Sequence, residues 1–157
     1  MEQTEQDNSG VRVPPPLVYV LVLVVGLGLH FIFPVDFLPL GWVQLAVGLP
    51  IAGVAGGLAI WAFRTMRRAE TTFSVYESTT TIVSQGPYRF SRNPAYLSLA
   101  ILYIGIALAV NALWILVLAP VTVAIISLIV IKREERYLEQ KFGEEYLRYK
   151  ARVRRWI

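Results

Sequence analysis

Residues 94–131, PAYLSLAILYIGIALAVNALWILVLAPVTVAIISLIVI, form an apolar run without one charged side chain. About 20 apolar residues suffice to cross the hydrocarbon core of a bilayer, so this run is too long for one comfortable crossing. Asn111 interrupts it near its middle, and the simplest reading is a tight helical hairpin with arms at 95–110 and 113–131. Two further apolar segments, 17–33 and 42–63, precede it. The sequence therefore predicts an all-α integral membrane protein with four transmembrane helices.

Composition agrees with that reading. The chain of 157 residues is 55% hydrophobic, with a mean hydropathy of +0.53, well above an ordinary soluble domain. It has no cysteine and a single histidine, His30, so a disulfide framework, a thiolate nucleophile, a cysteine-ligated zinc and a histidine metal cluster are all excluded by ligand supply. No metal is expected. The net charge of +4 comes from basic residues that flank apolar spans instead of forming a patch interleaved with aromatics, which argues against nucleic acid and for membrane lipids with anionic headgroups as partners. Residues 1–16 are acidic and polar, end in Pro14-Pro15-Pro16 and lack the basic start of a cleavable signal. They are read as a disordered tail, and residues 17–157 as one membrane domain.

The basic residues also orient the chain. All fifteen Lys and Arg fall in the N-terminal tail, in the loop 64–93 or after Ile131. Four spans bring those three segments to one side. The positive-inside bias makes that side cytoplasmic, with both termini on it and only the short turns near Asp36 and Asn111 outside. In a bacterium this is the inner membrane. Gly53 and Gly57 in the second span have the spacing that lets two helix backbones approach closely, and are read as packing residues.

Chemistry is concentrated on the basic side. The loop 64–93 exceeds the usual length of a connector between packed helices; it carries Thr71-Thr72 and Thr79-Thr80-Thr81 and turns at Gly86-Pro87. Asn93 and Pro94 are favoured at the N-cap and first position of a helix. Capping does not explain Tyr88, Arg89, Arg92 and Tyr96, which crowd around a helix start whose free N–H groups attract anions. Beyond the last span comes Lys132-Arg133-Glu134-Glu135-Arg136. On composition this is a solvated run of charge at a membrane boundary, although neighbouring helical residues point about 100° apart and one carboxylate can be aimed inward. Phe142-Gly143-Glu144-Glu145-Tyr146 ends one helix at a glycine and opens another with acids in its first turn. Arg148, Lys150, Arg152, Arg154 and Arg155, interleaved with Tyr149, Val153 and Trp156, make the last segment an amphipathic helix of the membrane interface.

These motifs, Gly86 to Tyr96, then Glu134-Glu135, then Phe142 to Tyr146 with Tyr149, keep the order and spacing of a known family over about residues 60–155. The chain resembles the isoprenylcysteine carboxyl methyltransferase and phospholipid methyltransferase superfamily. The resemblance implies methyl transfer from S-adenosylmethionine to a lipid-like or amphipathic acceptor at the cytoplasmic face. It implies that the cofactor-binding loop and its partners are Thr80, Thr81, Ile82, Val83, Tyr88, Arg92, Asn93, Pro94, Ala95, Tyr96, Glu134 and Glu135. Under it, Glu134 accepts from the cofactor's ammonium or ribose, Arg92 with the helix start holds its carboxylate, and Tyr88 or Tyr96 packs on sulfonium or adenine. No residue is singled out as an acid or base. Three positions depart from the family pattern: Asn93 replaces a histidine, Ser98 a glycine, and Val130 the arginine that faces the substrate carboxylate in the prenylcysteine enzymes. The last argues against a prenylcysteine substrate. Two other readings compete, an NADPH-dependent membrane lipid or sterol reductase and a non-catalytic lipid-binding scaffold.

Overall fold

The structure is a computed structural model and describes residues 14–39, 41–71 and 79–157. All but the last three residues of the expected N-terminal tail lie outside those ranges, as do Leu40 and Thr72. The described elements are helical: α1 (Pro15–Ile32), α2 (Trp42–Arg68), a single 3-10 turn (Gly86–Arg89), α3 (Pro94–Ala109), α4 (Leu113–Ile125), a π-helical stretch (Ile126–Ile131), α5 (Lys132–Phe142) and α6 (Glu144–Arg152). Helix α4, the π stretch and α5 run on as one helix of 30 residues.

Among the described residues three helices are long and apolar enough to cross a membrane: Pro15–Ile32, Trp42–Arg68 and Leu113–Phe142. The fourth apolar helix, α3, has 16 residues and a rise of about 24 Å, short of the roughly 30 Å hydrocarbon thickness. The hairpin is present. Asn111 turns it with φ 56°, a left-handed conformation that asparagine tolerates better than most residues. Two boundaries move. Helix α1 starts at Pro15, because proline in the first turn has no N–H to lose. Helix α2 runs a turn past Phe63 to Arg68, since arginine, threonine and methionine continue a helix once it has left the apolar layer; the loop that follows is shorter than expected by that turn.

Close approach of α2 and α3 does not use Gly53 and Gly57. A Cβ on Gly48 would lie 2.5 Å from the Ala109 amide nitrogen, and one on Gly105 would lie 2.8 Å from that of Ala52, whereas Gly53, Gly56 and Gly57 have open space in front of them. The small residues that face each other are Gly48, Ala52, Gly105 and Ala109, the arrangement that brings helix backbones together without a solvent-driven core. The principal core lies between α1, α3 and α4 and contains Tyr19, Tyr103, Ile115, Ile126 and Val130. Leu21, Val24, Phe31, Leu49, Val54 and Leu128 stay exposed, an apolar exterior suited to lipid.

The two ends of the bundle are distinguished by what closes them. At one end Asn111 joins the two short turns: its Oδ1 accepts from the backbone N–H groups of Phe37 at 3.2 Å and Leu38 at 2.9 Å, and its Nδ2 donates to the Leu38 carbonyl at 3.0 Å. The other end collects the 3-10 turn, the start of α3, and helices α5 and α6.

Candidate functional site

At that second end the start of α3 meets α5. Tyr96, one turn into α3, donates its hydroxyl to Glu134 Oε1 at 2.6 Å, and Tyr19 of α1 donates to the Tyr96 carbonyl at 3.2 Å. Tyr88, from the 3-10 turn, is buried against Ala62, Met66, Val83 and Ala95. Burial pushes its hydroxyl above the ordinary tyrosine range, and the nearby Tyr149 and Glu134 add to the shift. It is a neutral hydroxyl at physiological pH. The π stretch ends three residues before Glu134, and the Lys132 N–H bonds to the Ser127 carbonyl, five residues back. Such a turn slips the helical register, so the two acids face directions that a 3.6-residue period does not give.

Glu135 faces another way and is fully engaged. Its Oε1 accepts from Arg92 Nη2 at 2.9 Å and from Arg155 Nε at 3.1 Å, and its Oε2 from Arg155 Nη2 at 2.6 Å. The side chains of Arg92 and Glu135 are 8% and 7% exposed. The expected solvated face is therefore corrected at Glu135: buried charge is stable only when paired, and two guanidiniums do the pairing. Hydrogen bonding to Glu135 holds Arg155 above its ordinary range, against the opposing effect of burial.

The C-terminal residues complete this clamp. Arg92 N–H donates to the Arg154 carbonyl at 3.0 Å and Arg92 Nη1 to the Lys150 carbonyl at 3.3 Å. The Arg155 carbonyl accepts from Asn93 Nδ2 at 2.9 Å and Ser91 Oγ at 3.3 Å. Tyr149 donates its hydroxyl to the Tyr88 carbonyl at 2.8 Å, and Trp156 Nε1 donates to Ser127 Oγ at 3.1 Å. Asn93 does sit at the N-cap of α3, but its side chain makes no capping bond. The amide reaches the C-terminal segment instead, which supplies a better placed acceptor.

A cavity of about 400 Å³ opens beside this cluster, lined by Trp61, Thr65, Arg68 and Ala69 of the α2 end and by residues 81–86. Gly86 is required there twice over: its φ is +58°, and a Cβ would lie 2.7 Å from Thr65 Oγ1. Val83 lines the cavity and also packs on Tyr88. Tyr88, Tyr96 and Glu134 are not among the described residues that line it.

Of the residues named from sequence, Thr81, Ile82 and Val83 line the cavity. Thr80 is exposed beside it, its N–H bonded to Thr71 Oγ1 at 3.3 Å and its hydroxyl to the Glu70 carbonyl at 3.1 Å. Tyr88, Pro94, Ala95 and Tyr96 are buried together at the start of α3, next to Glu134. Arg92, Asn93 and Glu135 belong to the clamp. Ser98 donates to the Ala95 carbonyl at 2.7 Å, and Val130 is fully buried in the core. Sequence reasoning missed the clamp role of Arg155 and Trp156, although the alternation of arginine and aromatic residues near the end was its visible trace, and it missed Arg68 and the π turn.

A family model described as phospholipid methyltransferase matches residues 43–145. An uncharacterized protein of Haemophilus influenzae is similar, with 57% identity over 35 residues that cover 22% of this chain and 56% of that relative. The chain thus spans a little over half the length of that curated relative.

Proposed function

We propose that this chain, which belongs to the phospholipid methyltransferase family, transfers a methyl group from S-adenosylmethionine to a lipid-like or amphipathic acceptor at the cytoplasmic face of a bacterial inner membrane. Methyl transfer at a membrane is the chemistry that family membership carries; the donor, the acceptor class and the sidedness are our reading. The observation that carries it is the 2.6 Å contact between Tyr96 and Glu134, which unites two motifs 38 residues apart around the buried Tyr88 and beside a cavity.

The residues fit the donor chemically. Bound there, S-adenosylmethionine supplies an electrophilic methyl on a sulfonium centre. Glu134 holds one neutral hydroxyl donor and keeps oxygen lone pairs for a ribose diol or an ammonium group. Tyr88 and Tyr96 present neutral aromatic rings, which attract a cationic centre. Thr80, Thr81, Ile82 and Val83 form the wall along which the nucleoside lies. Arg92, Asn93 and Glu135 hold that wall in place through the C-terminal segment. An amine or carboxylate acceptor needs little acid or base help, so the chain accelerates transfer chiefly by holding donor and acceptor in line and away from water. In this reading α3 also crosses the bilayer, as the first arm of the hairpin, and the acceptor arrives laterally from the lipid.

The test is ligand binding to purified protein in detergent. S-adenosylhomocysteine at about 100 times its Kd stabilises the fold by about 2.7 kcal/mol if it binds the native state alone, and Glu134→Gln, which replaces one acceptor oxygen by a donor, lowers its affinity about tenfold. Stabilisation by NADPH alone, or by neither ligand, overturns the proposal.

A further inference from the structure

On the methyl-donor reading the donor's carboxylate calls for a cation, and Arg92, expected with the start of α3 to hold it, is committed elsewhere. Its Nη2 lies 2.9 Å from Glu135 Oε1 in a contact that leaves its side chain 8% exposed, and its Nη1 donates to the Lys150 carbonyl. Turning it toward a ligand would strip a buried carboxylate of a partner, which is costly. The cavity holds another cation. Trp61, Thr65 and Arg68 follow one another on a single face of α2 at successive turns, and Arg68 is the only charged residue among the described ones that line the space of about 400 Å³. It is exposed and makes no ion pair with any described residue. Thr81, Ser84 and Gln85 line the same cavity. A guanidinium over hydroxyl and amide groups is a carboxylate site in its chemistry.

We propose that Arg68 binds the carboxylate of the donor's amino acid end, in the cavity between the last turns of α2 and residues 81–86. The assignment rests on the methyl-donor reading and refines it. The site is then divided by charge: Arg68 takes the anionic end and Glu134 accepts hydrogen bonds from the ribose diol.

Calorimetric titration of the full-length wild type, Arg68→Gln and Arg68→Lys with S-adenosylhomocysteine and with 5′-methylthioadenosine tests it. The second nucleoside keeps the adenosine and lacks the amino acid end. Arg68→Gln is expected to weaken S-adenosylhomocysteine about tenfold and to leave 5′-methylthioadenosine unchanged, and Arg68→Lys to recover most of the loss. Equal weakening of both nucleosides would make Arg68 a residue that shapes the cavity and overturn the assignment; so would no effect on either. If the wild type binds neither nucleoside, the methyl-donor reading itself fails and takes the assignment with it.

Discussion

The two ends of the helical bundle use polar side chains in opposite ways. At the turn end Asn111 is 2% exposed, and its carbonyl and amide are both engaged by the Phe37 and Leu38 backbone. Nearby, Trp114 Nε1 donates to the Phe33 carbonyl at 2.7 Å. These groups close a fold and have nothing left for a ligand. At the site end the Glu135 carboxylate is equally engaged, although Arg92 Nε in the clamp has no described partner, and beside it stand groups with unused capacity: Glu134 with one neutral donor, Arg68 without a described ion partner, and a cavity whose lining includes Thr65, Thr81 and Ser84. Buried polar groups are normally satisfied. An unpaired polar atom is not by itself a site, since His30 Nδ1 and Gln44 Oε1 near the turn end are also buried without a described partner. The difference teaches that function is to be sought where spare capacity adjoins a cavity, and at the site end the line falls between two consecutive residues, Glu134 and Glu135.

The largest expected effect tests the closed half of that line. Glu135→Ala leaves two guanidiniums facing each other, one of them almost wholly buried, and the cost is about 3 kcal/mol, the lower end for a broken buried pair because Arg155 is one-third exposed. Chemical denaturation in detergent measures it. Because the Arg155 carbonyl anchors Ser91 and Asn93, S-adenosylhomocysteine binding falls in the same variant. Unchanged stability would show that the clamp does not hold the site end together. A smaller effect is expected at the opposite end. Asn111→Ala unpairs two backbone N–H groups and a carbonyl and removes a residue suited to φ 56°, for about 2 kcal/mol. Its affinity for the nucleoside should stay at the wild-type value; a loss matching that of Glu135→Ala would erase the distinction between the ends.

Much of this was legible in the sequence, for identifiable reasons. Apolar runs and their polar break at Asn111 give helices and a hairpin because the bilayer demands length and tolerates no stray charge. Gly143 ends α5 with φ 54°, a stop signal that a sequence displays openly. The motifs that place Tyr96 and Glu134 were visible as motifs, but their 2.6 Å contact is tertiary. What lay hidden depends on direction. Nothing local says that Arg92 turns to Glu135 and away from the cavity, since an arginine beside a helix start looks alike in either pose. The π stretch 126–131 leaves no trace in ISLIVI, a string that an α-helix would accept equally well. The glycine pair at 53 and 57 misled because spacing marks a face able to pack closely without naming the helix that packs there.

That face supplies the smallest expected effect. Gly57→Ala adds a methyl group where no atom lies within 4 Å, and removing a glycine from a helix interior is worth about 0.5 kcal/mol in backbone entropy. The variant should therefore unfold at slightly higher denaturant, whereas at Gly48 the same methyl would stand 2.5 Å from the Ala109 nitrogen, a distance no relaxation of a flexible side chain can relieve. Gly48 and Gly57 then sort cleanly: the first is kept by contact, the second by nothing among the described residues. A loss of more than about 1 kcal/mol in Gly57→Ala, the scale of overpacking a close interface, would reverse that reading. It would mean that the open face of α2 is covered in the membrane by a second helix, which sedimentation of the detergent-solubilised protein before and after the substitution would detect as a change in mass.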